Sequence, residues 1–463
     1  MSASDHDEDN DPISILQPTG YSASTCGYCG RGKGQRSQDK SSKSYGALLD
    51  KGWRRSGSYL YKPDMGRTCC PQYTIYLTAQ DFKPSKSQRQ IMQRFNAFVQ
   101  DGEREGQKGW GPPPATEETA DEEMAPEGEG QKKNKGKGKG KANQSASEDW
   151  GELVRAAEWE RRMEQKTFKH KFWCMLEPAS FTDEKYQLYK RYQIDVHGDS
   201  PSKVTPSGFR SFLVDSPLER EPTASPSHSY GSHHMLYRLD GKLIALAVLD
   251  LLPNSVSSVY FIWDQDYAGM SLGKLSALRE AQLVREMQRD GAWEGEGRYM
   301  MGFYIHSCAK MRYKADYQPS FLLDPETNTY FPFSTCKPLL DASSPRIASF
   351  SRPSSTALSS APTRPASSKS DAKPIEDAEG SASEEEEEDD EGDLPSPPPL
   401  GCHDPDKLPK DLLLASFVLE RRTLVPLLLS TVWHNPVQKR EAQELLATTG
   451  DAAKGKMAIY LGR

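Results

Sequence analysis

The sequence predicts an α+β fold, and most of the evidence lies in residues 240–317. Residues 243–252 form a nearly unbroken apolar run that ends at Pro253. Residues 257–263 form a second short run, rich in β-branched and aromatic side chains. Two adjacent runs of this length, joined by a Pro-Asn turn, are typical of an antiparallel β-hairpin.

A helix and a third strand follow the predicted hairpin. Ser271 stands at the expected N-cap, and the apolar residues after it recur at helical spacing: Leu272, Leu275, Leu278, Ala281, Val284 and Met287. Residues 300–305 are again apolar and predict a third strand. The order strand, strand, helix, strand is that of an acyl-transfer fold in which a helix N-terminus faces the phosphates of a donor.

Positive and negative charges are segregated along the chain. The 463 residues carry a formal net charge of −7, yet residues 20–100 contain fourteen Lys or Arg against four Asp, a net of +10. An acidic block occupies residues 384–391. A basic segment of this kind is typical of a surface that binds a polyanion.

Four cysteines lie within the basic segment. Cys26 and Cys29 form a CxxC motif, which lets two thiolates bind one metal ion from a tight turn, and Cys69 and Cys70 are adjacent. An adjacent pair suits an iron–sulfur cluster, because a cluster has several corners, whereas a single small ion requires the chain to bend there. Zinc and an iron–sulfur cluster both remain open on spacing alone, and free redox-active thiols are the alternative. No N-terminal signal peptide is visible, so we expect reduced, cytosolic cysteines.

Blocks in a fixed order run through the chain: GYSASTCGYCG at residues 20–30, GWRRSG at 52–57, YKPDMGRTCCPQYTI at 61–75, FKPSKSQR at 82–89, EPASFTDEKYQLYKRYQ at 177–193, FLVDSPL at 212–218, RLDGKLIALAVLDLLPNSVSSVY at 238–260, SLGKLSALRE at 271–280 and GFYIHSCAKMRYKADYQPS at 302–320. In this order they resemble the eukaryotic, fungal-type arginyl-tRNA–protein transferases. The chain departs from that pattern after Tyr45, where GALLD replaces a longer helical segment. How this shorter segment packs behind GWRRSG is left open by the sequence.

The resemblance implies transfer of arginine from arginyl-tRNA to proteins that begin with Asp or Glu, which marks them for ubiquitin-dependent degradation. It also implies a GNAT-like (acetyltransferase-like) catalytic domain, and an iron–sulfur cluster or zinc on Cys26, Cys29, Cys69 and Cys70. The implied partners are acceptor proteins and the ubiquitin-ligase machinery. No membrane is expected as a partner. The expected location is the cytoplasm, with the nucleus as an alternative.

Composition and resemblance together divide the chain into six segments. They are a disordered acidic N-terminus (1–19), a basic Cys-rich domain (20–100), a low-complexity insert (101–149), the GNAT-like transferase domain (150–340), a disordered Ser/Pro/acidic linker (341–407) and a C-terminal helix and strand packing on the transferase domain (408–463). Within them, residues 150–171 and 177–197 are predicted to be helical, the second with Thr182 as its N-cap. Residues 412–429 are predicted to be a globular helix and not a membrane span, because Glu420, Arg421 and Arg422 interrupt their apolar run.

The chemistry implied by the resemblance needs mainly correct positioning. An N-terminal amine has a reference pKa of about 7.7–8.0, so a useful fraction is neutral near pH 7. Orienting that amine and stabilising the oxyanion are then the main tasks. His306 is the candidate general base, although a hydrogen-bonding histidine at a strand end is the favoured interpretation.

Substrate recognition needs charges of both signs. The cations Lys310, Arg312 and Lys314 are the first candidates to bind the acceptor's carboxylate, with Arg54 and Arg55 as alternatives. The candidates to bind the donor's guanidinium are Asp250, Asp264, Asp266 and Glu280. The backbone amides of Leu272 and Gly273 are candidates to hold the phosphate or ribose end of the tRNA. For each charged side chain, a structural ion pair is the alternative.

Two other functions compete with this interpretation. An acetyltransferase that uses acetyl-CoA would have a similar fold, but residues 271–276 lack the closely spaced glycines that usually hold the CoA pyrophosphate. A metal-bearing adaptor that binds tRNA without catalysis is the other.

Overall fold

The structure is a computed structural model that describes residues 13–26, 28–29, 33–41, 45–102, 110, 149–159, 168–293, 295–344, 346–352 and 392–462. The acidic block and nearly all of the low-complexity insert lie outside the described residues, so the disorder predicted there stays a prediction.

The strands, in chain order, are β1 (Ser14–Thr25), β2 (Lys33–Ser41), β3 (Arg54–Ser56), β4 (Tyr59–Pro63), β5 (Tyr73–Thr78), β6 (Phe172–Pro178), β7 (Glu221–Pro222), β8 (Ser229–Leu239), β9 (Lys242–Leu252), β10 (Ser255–Trp263), β11 (Arg298–Tyr304), β12 (Ser320–Leu323), β13 (Tyr330–Pro332), β14 (Phe417–Glu420), β15 (Thr423–Pro426) and β16 (Met457–Ile459). The α-helices are α1 (Tyr45–Leu49), α2 (Lys86–Asp101), α3 (Trp150–Arg155), α4 (Asp183–Tyr192), α5 (Pro206–Phe209), α6 (Leu272–Arg289), α7 (Ala309–Arg312), α8 (Phe333–Ser343), α9 (Lys410–Leu414), α10 (Thr431–His434) and α11 (Pro436–Thr449). Two π-helical turns, Gln193–His197 and Arg210–Val214, extend α4 and α5.

These strands form two sheets. The first has the strand order β15-β14-β16-β1-β2-β4-β3, and the larger one the order β13-β12-β5-β11-β10-β9-β8-β6, with β7 paired to β8. One predicted segment, residues 20–100, therefore contributes strands to both sheets. The Cys-rich segment contributes β5 to the larger sheet, and the C-terminal strand β16 pairs with β1 of the first sheet.

The central hairpin, helix and third strand are where the sequence predicts them. β9 and β10 are antiparallel, α6 follows, and β11 returns parallel to β10. β9 is a continuous apolar run because it is buried on both faces. Ile244 and Leu249 face one core, whereas Leu246 and Val248 face another.

Helices cover one face of the larger sheet. The other face is covered partly by helices and partly by the first sheet. The first face packs against α2, α3, α6 and α8 around the largest apolar core. On the second face, α4 and α5 cover one end. The first sheet, α1 and α11 cover the other end, where residues of both sheets share a core.

The short segment that begins at Tyr45 is packed into a core. It forms α1, in which Tyr45, Leu48 and Leu49 are buried. Trp53, directly before β3, is completely buried in the same core. The residues behind GWRRSG are therefore packed, because one and a half turns of helix already supply these apolar side chains.

Three boundary predictions need correction. Residues 14–19, predicted to be disordered, begin β1 because residues 14–16 pair with β16. The helix predicted over residues 150–171 ends at Arg155. The predicted linker is ordered at both ends: Ala348 exchanges hydrogen bonds with the Tyr73 hydroxyl, and Gly392 pairs with Tyr21 of β1.

Residues 412–429 are not the single helix that the sequence predicted. They form the end of α9, the β14–β15 hairpin and a 3₁₀ turn. Arg421 and Arg422, which interrupt the apolar run, have φ values of 47° and 71°. Positive φ at both central residues is what a two-residue hairpin turn requires. None of the described helices is long and apolar enough to cross a membrane.

The helix predicted over residues 177–197 is confirmed from Asp183 onward. The hydroxyl of Thr182 accepts from the amide of Lys185, so Thr182 caps α4 as predicted. The same lysine is buried and donates from Nζ to Glu177 at 2.6 Å and to Nδ1 of His234 at 3.1 Å. His234 in turn donates from Nε2 to the carbonyl of Leu213 at 2.9 Å. Since Nδ1 accepts from a lysine, the imidazole is neutral.

We expect this histidine to make the protein less stable in mild acid. Burial lowers the pKa of His234 to about 4, while an unfolded histidine titrates near 6.5. The unfolded chain therefore binds the extra proton in this window, and stability falls as the pH drops from about 6.5 toward 4, by about 2 kcal/mol at pH 5. Urea unfolding at pH 7 and pH 5 measures the loss. His234→Gln, which keeps an acceptor and a donor, should lose less stability, and an equal loss in both proteins would contradict the assignment.

Candidate active site and metal centre

The parallel strands β10 and β11 part at the centre of the larger sheet. They pair only over residues 255–257 of β10 and 298–300 of β11. The pairing of β11 with β5 then shifts between Met300 and Phe303, and Gly302 in this bulge has a φ of +74°. A bulge bends and twists its strand. The hydrogen-bonded ladder between β10 and β11 therefore ends at Ser257 and Met300, and we call the place where their C-terminal halves no longer pair with each other the opening.

The N-terminus of α6 lies at the same end of β10. The chain leaves β10 through a 3₁₀ turn, Gln265–Met270, and enters α6 at Leu272. Ser271 is the N-cap residue, as predicted, but its φ is +56° and its side chain makes no capping hydrogen bond. The first amides of a helix lack intrahelical acceptors and favour anions, so Leu272 and Gly273 stand where a phosphate or carbonyl oxygen can be held.

Arg55 and Asp250 neutralise each other and do not face a pocket. Both side chains are completely buried, and the guanidinium binds the carboxylate through Nε at 2.6 Å and Nη2 at 2.7 Å. Arg55 also donates to Ser232 Oγ at 3.0 Å. The pair joins β3 of the first sheet to β9 of the larger one. This corrects the sequence prediction, which placed the two residues in opposite substrate pockets.

Asp264 and Asp266 share two cations beside the start of α6. Asp264 is almost fully buried and binds Arg191, as well as Lys242 at 2.9 Å. Burial alone would raise the pKa of Asp264, but hydrogen bonds from Lys242 and Arg191 hold it below the usual value. Asp266 is a third exposed, and its ion pairs are looser, at 3.6 Å to Lys242 and 4.0 Å to Arg191.

Glu280 is a residue of α6, and its side chain is buried in the interior. Its carboxylate accepts hydrogen bonds from the hydroxyl of Tyr299 at 2.6 Å and from Ser276. Burial raises the pKa of Tyr299 well above its usual value, and the charge of Glu280 adds to the shift. The prediction that Glu280 contacts the donor is therefore not what the structure shows, because the residue is only 1% exposed.

Each ring nitrogen of His306 takes part in a hydrogen bond. Nδ1 lies 2.7 Å from the hydroxyl of Tyr304, and Nε2 lies 3.1 Å from a carboxylate oxygen of Asp341 on α8. The imidazole lines a small cavity with Pro71, Tyr73 and residues of α8. Since α8 packs on β12 and β13, this cavity lies on the side of β11 away from the opening. The arrangement fits a structural histidine better than a general base.

The three cations after β11 are in different environments. Arg312 is exposed and Lys310 is half-buried. Lys314 is buried, and its Nζ donates to the carbonyl of Phe303 at 3.0 Å. The ammonium lies 3.8 Å from the position that a Cβ of Gly302 would take, so Lys314 stands beside the opening. The structure thus does not bring the three cations together into one site.

Cys26, Cys29, Cys69 and Cys70 converge on one point, as the sequence predicts. All four sulfur atoms lie within 4.8 Å of one another, with Cys29 and Cys69 at 3.4 Å. Burial, with hydrogen bonds that the Cys69 thiol donates to Cys26 and Cys29, raises the pKa of Cys69 to about 12, which a metal ion reverses by binding the thiolate. The centre packs on the end of β11, where Phe303 and Ile305 share its apolar surroundings. Four thiols at these distances can hold a metal.

Sequence reasoning missed several polar residues near the opening. Ser257 is the last residue of β10 that pairs with β11, and its hydroxyl is buried. Tyr260 follows it, with its hydroxyl 3.1 Å from Nε2 of His197 in the π-helical turn after α4. The sequence offered one signal for His197, namely that the helix predicted over residues 177–197 ends there. No pattern in the sequence connects either residue to β11.

Sequence comparisons relate this chain to known proteins. Residues 24–90 match the model of the N terminus of arginine-tRNA-protein transferase, and residues 184–324 match that of its C terminus. The chain is 31% identical to arginyl-tRNA–protein transferase 1 of Arabidopsis thaliana, over 73% of this chain and 76% of the relative. It is 32% identical to the Drosophila melanogaster protein of the same name, over 70% and 83%. It is also 34% identical to the aspartate/glutamate leucyltransferase of Pseudomonas fluorescens, over 35% of this chain and 62% of that relative.

The two family models and the eukaryotic relatives define this chain as an aminoacyltransferase. The chain belongs to the arginyl-tRNA–protein transferase family.

Proposed function

We propose that this protein transfers arginine from arginyl-tRNA to the α-amine of acceptor proteins that begin with Asp or Glu. The observation that carries the proposal is the opening between β10 and β11 beside the start of α6. Acyl transfer requires the donor carbonyl and the acceptor amine to meet at one point, and the end of the β10–β11 ladder beside the first amides of α6 offers such a point. The name of the bacterial relative, an aspartate/glutamate leucyltransferase, supports acidic acceptors for the region that the two chains share.

The reaction forms one amide bond and breaks one ester bond. The acceptor nitrogen attacks the ester carbonyl, the ribose hydroxyl leaves with a proton, and the amine loses one. Because the amine is already partly neutral near pH 7, the protein's contribution is orientation and stabilisation of the oxyanion. The free amides at the start of α6 are the donors that support this role for Leu272 and Gly273. Among the four candidate carboxylates, Asp266 has the loosest ion pairs, which favours it as the partner of the donor's guanidinium.

The larger sheet also supports a GNAT-like topology. Its parallel strands part after three paired positions, and α6 connects them. We include this topology in the proposal, with the splayed strands as the acyl-transfer site.

The geometry of the cysteines favours a single ion over an iron–sulfur cluster. Four thiolates in a tetrahedron at about 2.3 Å from zinc lie about 3.8 Å apart. The largest separation here is 4.8 Å. In a cubic cluster each thiolate binds a different iron, so the sulfur atoms spread further. We therefore propose one tetrahedral metal ion of the zinc type, whose role is to fix the N-terminal segment against β11.

The family resemblance also supports two proposals about the product. Arginylated acceptors would be delivered to the ubiquitin-dependent degradation machinery. The reaction would take place in the cytoplasm, with the nucleus as a second compartment.

A reconstituted assay tests the proposed activity. Labelled arginine, tRNA, its synthetase and a peptide that begins with Asp should give a labelled peptide, and N-acetylation of that peptide should abolish the product. Acetylation of the peptide with acetyl-CoA alone would indicate an acetyltransferase, and tRNA binding without any product would indicate an adaptor. Either of these outcomes, in purified folded protein, would overturn the proposal.

A further inference from the structure

Buried hydrogen-bond donors without a partner are concentrated between the two sheets. Among the described residues, they include Trp53 Nε1, Arg54 Nε, Ser257 Oγ and the hydroxyl of Tyr330. The Trp and Arg atoms can only donate, and the two hydroxyls have a proton to donate. An unsatisfied buried donor is costly, so several in one region point to something that accepts from them.

The cross-strand register places Ser257 beneath β3. Ser257 pairs with Asp250 of β9 on one side and with Met300 of β11 on the other, so the three residues form one row across the sheet. Arg55 of β3 binds Asp250 in this row. Arg54, the neighbouring residue, reaches to β11 instead, where Nη2 donates to the carbonyl of Gly302 at 3.2 Å. The edge strand β3 therefore contacts β9 through Arg55 and β11 through Arg54. Ser257 of β10 lies between these two contact points in the sheet.

Arg54 differs from Arg55 in having no anion. Its side chain is buried, with the residue 5% exposed, and donates only to carbonyl oxygens, of Trp53 at 2.7 Å, Gly302 at 3.2 Å and Leu49 at 3.4 Å. No carboxylate in the described part of the chain forms an ion pair with it. A buried charge is normally paired, because the interior solvates it poorly. The group that best complements a guanidinium with a free N–H is a carboxylate.

The site adjoins the opening. Ser257 and Met300 are the last paired positions of β10 and β11, and Gly302 lies in the bulge that follows. Tyr330 borders the same region, since it packs against the core that contains Trp53 and Met300. A group bound here, on the face of the larger sheet that the first sheet covers, lies next to the opening.

We propose that Arg54, assisted by Ser257, binds the side-chain carboxylate of the acceptor's N-terminal residue. The acceptor then lies on the face covered by the first sheet, and its α-amine enters the opening toward the donor ester. This inference rests on the proposed function and deepens it, because it assigns the acidic specificity to β3 and not to the cations after β11.

The test is the preference between peptides that begin with Asp and with the isosteric Asn. Arg54→Gln should raise KM for the Asp peptide about ten- to hundredfold, the loss of one charge-assisted contact, and bring the Asp-to-Asn ratio of kcat/KM close to one. Arg54→Lys should retain part of the preference. Binding of arginyl-tRNA, measured by filter retention, should stay unchanged. Arg440→Gln, which removes an exposed ion pair on α11, is the matched control.

A structural role for Arg54 would lower activity without changing the ratio, and an unchanged ratio in Arg54→Gln would overturn the proposal. So would loss of the ratio in Arg312→Gln while Arg54→Gln keeps it. If Arg54→Gln does not fold, Ser257→Ala replaces it, with KM for the Asp peptide raised about fivefold and an unchanged KM as the contrary result. Failure of the wild-type protein to transfer arginine would instead refute the proposed function itself.

Discussion

Replacing Asp250 with asparagine should lower the free energy of unfolding by about 3–5 kcal/mol. The reason is that Arg55 would then keep a full positive charge in a completely buried position, without its carboxylate partner. Urea unfolding followed by circular dichroism measures the change. Because the pair joins the two sheets, loss of the contact should also expose the core between them, which increased binding of a hydrophobic dye would detect.

A double variant separates the pair's own contribution from the cost of leaving one charge alone. Arg55→Met combined with Asp250→Leu removes both charges and keeps the volume apolar, so it should recover most of the stability lost in Asp250→Asn. Arg298→Met removes a half-exposed pair with Asp50 and is the control for arginine loss, with an expected effect below about 1 kcal/mol. A small effect of Asp250→Asn, equal to that control, would contradict the buried pair.

The sequence predicted the central elements because their signals are local. The apolar runs of β9 and β10, the helical spacing of α6 and the hydroxyl that caps α4 all depend on residues within a few positions of one another. The four cysteines were also recognised, because a CxxC motif restricts its two thiols to one side of a turn. In each case a short stretch of chain contains the physical cause of the structure.

The missed features depend on contacts between distant residues. Arg55 and Asp250 are separated by 195 positions, and nothing near either one shows that the other neutralises it. The same holds for β16, whose pairing with β1 orders residues 14–16. A charge in a sequence has several candidate partners. The sequence alone therefore could not show that Asp264 binds two cations, whereas no carboxylate among the described residues forms an ion pair with Arg54. The sequence analysis also did not predict β5. This strand takes part of the Cys-rich segment into the larger sheet, between β12 and β11.

Purified under reducing, oxygen-free conditions, the protein should contain one equivalent of a zinc-type ion and no acid-labile sulfide. The basis is the close approach of the four sulfur atoms, all within 4.8 Å of one another. Cys69→Ser should lose the metal and unfold the N-terminal segment, because the buried apolar cluster at the centre is small: Cys26, Cys70, Phe303, Ile305 and Met311. Zinc binding to small folded units contributes about 10–16 kcal/mol at pH 7, so the loss should exceed that of any single ion pair.

Cys308 provides the matched control for this prediction. It packs against the same apolar cluster but is not one of the four converging thiols. Cys308→Ser should therefore keep the full metal content, measured by mass spectrometry, while Cys69→Ser does not. Several irons with labile sulfide in the wild-type protein would contradict the single-ion geometry. Retention of metal by Cys69→Ser would instead mean that the remaining cysteines suffice. Since the centre packs on β11 directly after the bulge, its loss should also displace Gly302 and Phe303, and with them the edge of the opening where transfer is proposed to occur.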